Sequence, residues 1–151
     1  MNGQLIHGSS KPGGAKSALA ALSRFPVYIW ASPASLIGLG AAALALTSGG
    51  TAHVVDGVLE VEGGLVRWIL KRCTPLRGGA SAMTLGHVVI ARDRKLLEMT
   101  RIHERVHVRQ CERWGPLFIP AYFAASGLAW WRGQRPYYDN HFEREAYARE
   151  G

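Results

Sequence analysis

Apolar positions along this chain fall into two kinds of run. Some are short, rich in Val and bounded by Gly or charged residues; others are long and free of charge. Residues 27–46, VYIWASPASLIGLGAAALAL, carry no charge and match the length of about 20 residues that crosses a bilayer. Tyr28 and Trp30 stand near the start, where interfacial aromatics sit. The competing expectations are a signal sequence, with the small residues Ala43 and Ala45 near a cleavage point, and a buried or interfacial helix. Residues 52–62 read AHVVDGVLEVE, two short runs around Asp56-Gly57, which predicts a hairpin. A short apolar stretch at 65–72 precedes a loop at 74–80 with Pro75, Gly78 and Gly79. Residues 83–92, MTLGHVVIAR, have β-branched residues at their centre and predict one strand.

The strongest helical signal covers residues 94–114. Asp93 is a good N-cap, and Gly115-Pro116 is a stop. Leu97, Ile102, Val106 and Val108 give this helix its apolar side. Residues 117–131, LFIPAYFAASGLAWW, are apolar, uncharged and interrupted by Pro120. That stretch is too short for a comfortable span and predicts a core helix or one that dips into a membrane. After a polar turn at 132–136, Asp139 or Asn140 caps a last helix over 142–149. The expected fold class is α+β: a small antiparallel sheet, then a helical half, behind an N-terminal apolar anchor helix.

Length and charge refine this outline. The chain of 151 residues predicts one folded domain. Residues 1–25 are rich in Gly, Ser, Ala and Lys and read as a flexible basic tail; 26–47 form the apolar anchor or signal-like segment, and 52–151 the folded domain. Net charge is +7. No basic stripe is interleaved with aromatics as on a nucleic-acid surface, so nucleic acid is not an expected partner. Several arginines instead flank apolar segments, which fits a membrane surface. Lys11, Lys16 and Arg24 precede the apolar segment, and Asp56, Glu60 and Glu62 follow it. A spanning segment would then keep its N-terminus on the cytoplasmic side. Cys73 and Cys111 lack zinc-ribbon spacing and read as unpaired thiols.

The chemistry is carried by His103-Glu104-Arg105-Val106-His107, an HExxH pattern within the best helix. Residues four apart share a helix face, so both imidazoles can reach one zinc ion (Zn2+). Glu104, beside the first ligand, can act as general base on a metal-bound water. A catalytic site needs a third protein ligand. The residue six after His107 is Arg113, which excludes the metzincin pattern HExxHxxGxxH. Glu143 and Glu145 in the last helix are the candidates. Asn140 with Glu143 three residues on is also a complete capping box, so Glu143 is either a ligand or a cap.

Phe142-Glu143-Arg144-Glu145-Ala146-Tyr147 resembles the FExxAD element of membrane gluzincins of the prenyl-protein (CAAX) endopeptidase and bacterial heat-shock peptidase type. The run His103–Gln110 with Arg113-Trp114-Gly115-Pro116 also resembles small bacterial proteins ascribed to peptidases. The resemblance covers residues 83–150 and implies a minimal zincin-like metallopeptidase domain acting on a peptide or protein substrate at a membrane. It maps the metal ligands onto His103, His107 and Glu143, and the general base onto Glu104. Tyr147 stands where the family has Asp. The alternative expectation is a non-catalytic zinc-binding, membrane-associated module.

Lesser candidates are few. His87 and the segment Thr84–Ile90 could offer a strand edge to an extended substrate. Asp139 could orient a zinc-bound imidazole. Tyr137, Tyr138 and Tyr147 could donate to an oxyanion. His141 adjoins Glu143 but points elsewhere, and His7 and His53 have no evident partner.

Overall fold

The computed structural model describes residues 29–150. The expected basic tail at 1–25, with His7, Lys11, Lys16 and Arg24, lies outside them, as do the first positions of the apolar segment, Tyr28 included. The described chain is α+β. Helix α1 (Ser32–Thr47) leads into strands β1 (Thr51–Val55) and β2 (Val58–Glu62), then α2 (Gly64–Arg72), β3 (Ala82–Leu85) and β4 (Val88–Ala91). Helix α3 (Arg94–Trp114), a 3-10 turn (Gly115–Leu117), α4 (Phe118–Trp131) and α5 (His141–Tyr147) complete it.

The four strands stand in the order β1-β2-β4-β3. Asp56-Gly57 closes the expected hairpin, with Val55 opposite Val58. Two expectations are corrected. Residues 83–92 are two strands, because Gly86-His87 forms a two-residue turn with Leu85 opposite Val88. Gly86 supplies the positive φ of 67° that this turn needs. The sheet is also mixed rather than antiparallel, since β2 and β4 run parallel, Leu59 beside Val88 through Glu62 beside Ala91. The link between them contains α2 and β3, enough chain for a parallel connection.

Strand alternation allots the side chains to two cores. Val61, Val88 and Ile90 pack with Ala42, Ala45, Val66 and Leu70 of α1 and α2. Val58, Val89 and Ala91 pack with Leu97 and Val108 of α3 on the other face. Strand β4, covered on both sides, is buried at all four positions. A third cluster forms where α3, α4 and α5 meet, around Cys111, Phe118 and Phe142. Burial there pushes the Cys111 thiol up to about 12.

Helix α3 follows its punctuation closely. Asp93 accepts a hydrogen bond from the Leu96 N–H at 3.0 Å, and the helix ends at Trp114. Its apolar side is narrower than expected, because Ile102 is 61% exposed. Glu60 of β2, only 2% exposed, accepts a bidentate pair of hydrogen bonds from Arg101 at 3.0 and 2.9 Å. Arg105 donates to the same carboxylate at 3.1 Å and to the Val55 carbonyl at 2.7 Å. These contacts fix the rotation of α3 on the sheet.

The expected N-terminal anchor helix is not supported. Among the described residues no helix is long and apolar enough to cross a membrane. Helix α1 has 16 residues and docks on the sheet through a face of small residues, Ala34, Gly38, Ala42 and Ala45. A Cβ on Gly38 would lie 2.6 Å from the Val88 Cβ and 2.8 Å from the Leu85 carbonyl oxygen. Gly38→Ala should therefore destabilise the fold by about 1–3 kcal/mol. Gly40, with nothing within 4 Å of its would-be Cβ, is the control: Gly40→Ala should gain about 0.5–1 kcal/mol from helix propensity. Thermal melts of the two variants check the pair, and equal behaviour would remove close helix–sheet contact as the reason for Gly38.

Candidate metal centre

Helix α3 turns His103, Glu104, His107 and Gln110 inward, each 7% exposed or less. Helix α5 brings Glu143 against them at 2% exposure. Asn140 begins α5 by accepting from the Phe142 N–H at 2.9 Å, so Asn140 rather than Asp139 is the cap. The Asn140 N–H donates to the Tyr137 carbonyl and does not take up the Glu143 carboxylate. That carboxylate meets the two imidazoles: Oε2 lies 3.1 Å from His103 Nε2 and Oε1 lies 3.4 Å from His107 Nε2. The two Nε2 atoms are 3.0 Å apart.

His103, His107 and Glu143 thus form a buried group that could hold a metal ion, one ligand atom each and all within 4.8 Å of one another. Two imidazole nitrogens and a carboxylate oxygen are a donor set that zinc accepts, and bonds of about 2.0–2.1 Å at tetrahedral angles put neighbouring ligand atoms roughly 3.3 Å apart. The two imidazole nitrogens lie close to that separation, and the Glu143 carboxylate reaches one imidazole with each of its oxygens, so the donor set fits the ion.

The atoms behind the ligands are arranged as well. Gln110 Oε1 stands 2.8 Å from His107 Nδ1. The Gln110 amide nitrogen donates to the Phe142 carbonyl at 3.1 Å and to Glu145 Oε2 at 3.0 Å, which orients the amide. Nδ1 of His107 therefore carries a proton, and Nε2, the nitrogen that faces Glu143, is the one that would bind an ion on giving up its own. Tyr122 of α4 donates to Glu143 Oε1 at 2.6 Å. Nδ1 of His103 comes within 3.3 Å of Glu150 Oε1 but makes no aligned hydrogen bond. Tyr147, where the resembled family has Asp, sets its ring 4.7 Å from that of His103.

Electrostatics separate the two carboxylates. Burial alone would push Glu143 up, but hydrogen bonds with His103 and His107 outweigh it and bring the group down to about 2. For His107, burial favours the neutral ring, and the hydrogen bond to Glu143 with the charges of Glu104 and Glu143 overcomes it, so the net shift is upward. Glu104 goes the other way: burial holds it above the usual carboxylate range, against His107 and a 2.7 Å hydrogen bond from Thr84. Burial also raises Tyr122 and Tyr137, with the Glu143 charge adding to the shift.

The remaining candidates fall elsewhere. Glu145 bonds to Gln110 and Arg149 rather than to the imidazoles. Asp139 pairs with Arg135 and orients no imidazole. His87 sits in the β3–β4 turn, 3.2 Å from Glu112, with its N–H on Ser35 of α1. Of the tyrosines, Tyr147 touches the cluster and Tyr138 stacks on Tyr147. His53 and His141 are exposed. Gln110 and Tyr122 were not among the expected site residues, and Thr84 was expected only in a strand edge, not as a partner of Glu104. Gln110 was within reach, three residues after His107 and so on the same helix face; nothing local marks Thr84 or Tyr122. Comparison of the chain with protein-family models, with curated proteins and with solved structures finds no match in any of the three.

Two predictions follow from these contacts. Gln110→Ala should weaken metal binding by about 10–100-fold, read by competition with a chromophoric chelator, while retaining helical circular dichroism. Unchanged affinity would show that the amide does not set the His107 tautomer. The second concerns pH in the metal-free protein. A carboxyl raised by folding favours the fold below its unfolded value, 4.5, and loses that contribution as pH rises through the folded value. Glu104→Gln should therefore raise Tm at pH 7 and change it little at pH 4. Glu143, lowered to about 2, has the opposite sign: its contribution is present above 4.5 and lost as pH falls towards 2. Glu143→Gln should lower Tm at pH 7 and flatten that acid limb.

Proposed function

We propose that this chain is a zinc-dependent peptide-bond hydrolase of minimal gluzincin type, with His103, His107 and Glu143 as ligands and Glu104 as general base. The observation that carries it is the arrival of Glu143, 40 residues further along the chain, on the HExxH imidazoles. A motif on one helix and a carboxylate on another, each weak alone, meet at ligand spacing. An ion held there would lower the pKa of a bound water towards neutrality and polarise the scissile carbonyl. Thr84 holds Oε2 of Glu104, leaving Oε1 to take the proton of the attacking water and pass it to the leaving amine. A carboxylate whose pKa burial raises is a stronger base than an ordinary one and takes that proton more readily near neutral pH. Strand β3, which carries Thr84, is an outer strand of the sheet, so its free edge beside Glu104 can pair with an extended peptide.

One observation favours a second reading. Ligands and base are all nearly buried, and closed coordination is the mark of a structural zinc site. Such a site would make the chain a zinc-binding module that does not cut.

Metal analysis of the purified protein tests both. About one zinc per chain is expected, lost in Glu143→Ala and kept in Glu145→Ala. Glu104→Gln should keep the metal and reduce cleavage of a peptide library, read by mass spectrometry, by about 10²–10⁴-fold. Zinc with no cleavage by the native protein would favour the structural site. No metal in any form, after zinc is supplied, would overturn both.

A further inference from the structure

Three helices of this fold expose large apolar side chains. On α1 they are Leu36, Ile37, Leu39 and Leu46, each about half exposed or more, with Trp30 just before it. On α2 they are Leu65 and Trp68, and on α4 Phe123, Trp130 and Trp131, the last two exposed by 72% and 79%. The helices are neighbours: α1 and α2 pack on one face of the sheet, and the start of α1 meets the turn that leads into α4. The Leu65 N–H bonds to Ser48 at the C-terminal end of α1 at 2.7 Å. At the other end, the Trp30 indole lies so close to Gly115 that a Cβ there would be 2.3 Å from it, at the turn leading into α4.

Charge is sorted along the same surface. No Asp or Glu occurs from Ile29 to Val55, from Gly63 to Arg92 or from Arg113 to Tyr138, the segments that contain α1, α2 and α4. Those segments do carry Arg67, Lys71, Arg72, Arg77, Arg113 and Arg132. Arg135 belongs to them too and is paired to Asp139, and Arg113 lies 3.9 Å from Glu145. An apolar face bordered by cations and tryptophans matches the headgroup zone of an anionic bilayer. A second copy of this chain fits less well, because facing copies would set cations against cations.

We propose that the outer faces of α1, α2 and α4 seat the protein on the surface of an anionic bilayer, in the interface and without a span. Aliphatic and Trp side chains enter the boundary between headgroups and acyl chains, and the arginines and lysines reach back to lipid phosphates. The proposal does not depend on the metal centre.

Vesicle sedimentation of the full chain tests it, with phosphatidylcholine alone and with phosphatidylcholine containing phosphatidylglycerol. Binding to the anionic vesicles with a blue shift of Trp emission is expected, and weaker binding to the neutral ones. Trp130→Ser with Trp131→Ser, and Leu36→Ser with Ile37→Ser, change exposed residues and should leave the circular dichroism unaltered. Each pair should lower the partition coefficient roughly tenfold or more. Failure to bind anionic vesicles would overturn the proposal. So would binding unaltered in both double variants, since another part of the chain would then hold the lipid, or a solution dimer that the same changes dissociate. Glu104→Gln should bind vesicles as the native protein does, so loss of the hydrolase reading leaves this result intact.

Discussion

A polar side chain taken out of water costs about 1–3 kcal/mol unless it finds a partner, and an ionised one costs more. Helix α3 turns four such residues inward, His103, Glu104, His107 and Gln110. Their partners come from two other elements. Glu143 comes from α5, Thr84 from β3, and the Gln110 amide spans His107, the Phe142 carbonyl and Glu145. Satisfying this one face places α5 against α3 and β3 beside Glu104. The arrangement of the second half of the chain is therefore tied to the same contacts that give the site its chemistry.

The opposite side of α3 is held by a different device. Glu60 is buried in β2, and its charge is matched by Arg101 and Arg105 with the fork geometry that guanidinium groups provide. A buried ion pair adds little net stability over apolar packing, but breaking it is costly because a charge is left alone. Its value here is directional. Rotation of α3 by one residue would pull both arginines off Glu60 and turn His103 and His107 away from Glu143 together. Arg101 remains a third exposed, so water shares in its solvation and weakens the attraction. The clamp sets geometry more than it sets stability.

How much of this was legible in the sequence depends on the range of the interaction that decides each feature. Local signals served well: the Asp93 cap and Gly115-Pro116 stop bound α3, Asp56-Gly57 closes a hairpin, and spacing of four brings His103 and His107 together. Gly86 was visible too, but the β-branched residues after it mask a turn inside an apparently continuous strand. The parallel pairing of β2 with β4 has no local signature, because it depends on where α2 and β3 pass. Ile102 was assigned to the apolar side by residue type alone, and the Arg101 and Arg105 contacts with Glu60 turn that side of the helix to solvent. For Glu143, the sequence offered both a ligand and a cap, and favoured the ligand. The Tyr137 carbonyl takes the Asn140 N–H, which removes the capping box.

Hydropathy and burial run in opposite senses across this molecule. The helix with the polar sequence, α3, buries imidazoles and carboxylates, while the uncharged helices α1 and α4 leave much of their apolar surface exposed. Helix α1 illustrates why composition could not reveal this. Small residues recur at the spacing that faces the sheet, and large aliphatic residues fill the rest of its circumference. A helix apolar on every side carries no periodicity from which to tell the face that meets protein from the face that meets something else. Close packing against Val88 and Leu85 selects the small side for the sheet, since only small residues allow the backbone to approach so near. The large side chains face outward because that approach leaves them nowhere else to go. Packing forces expose them, whatever comes to cover them.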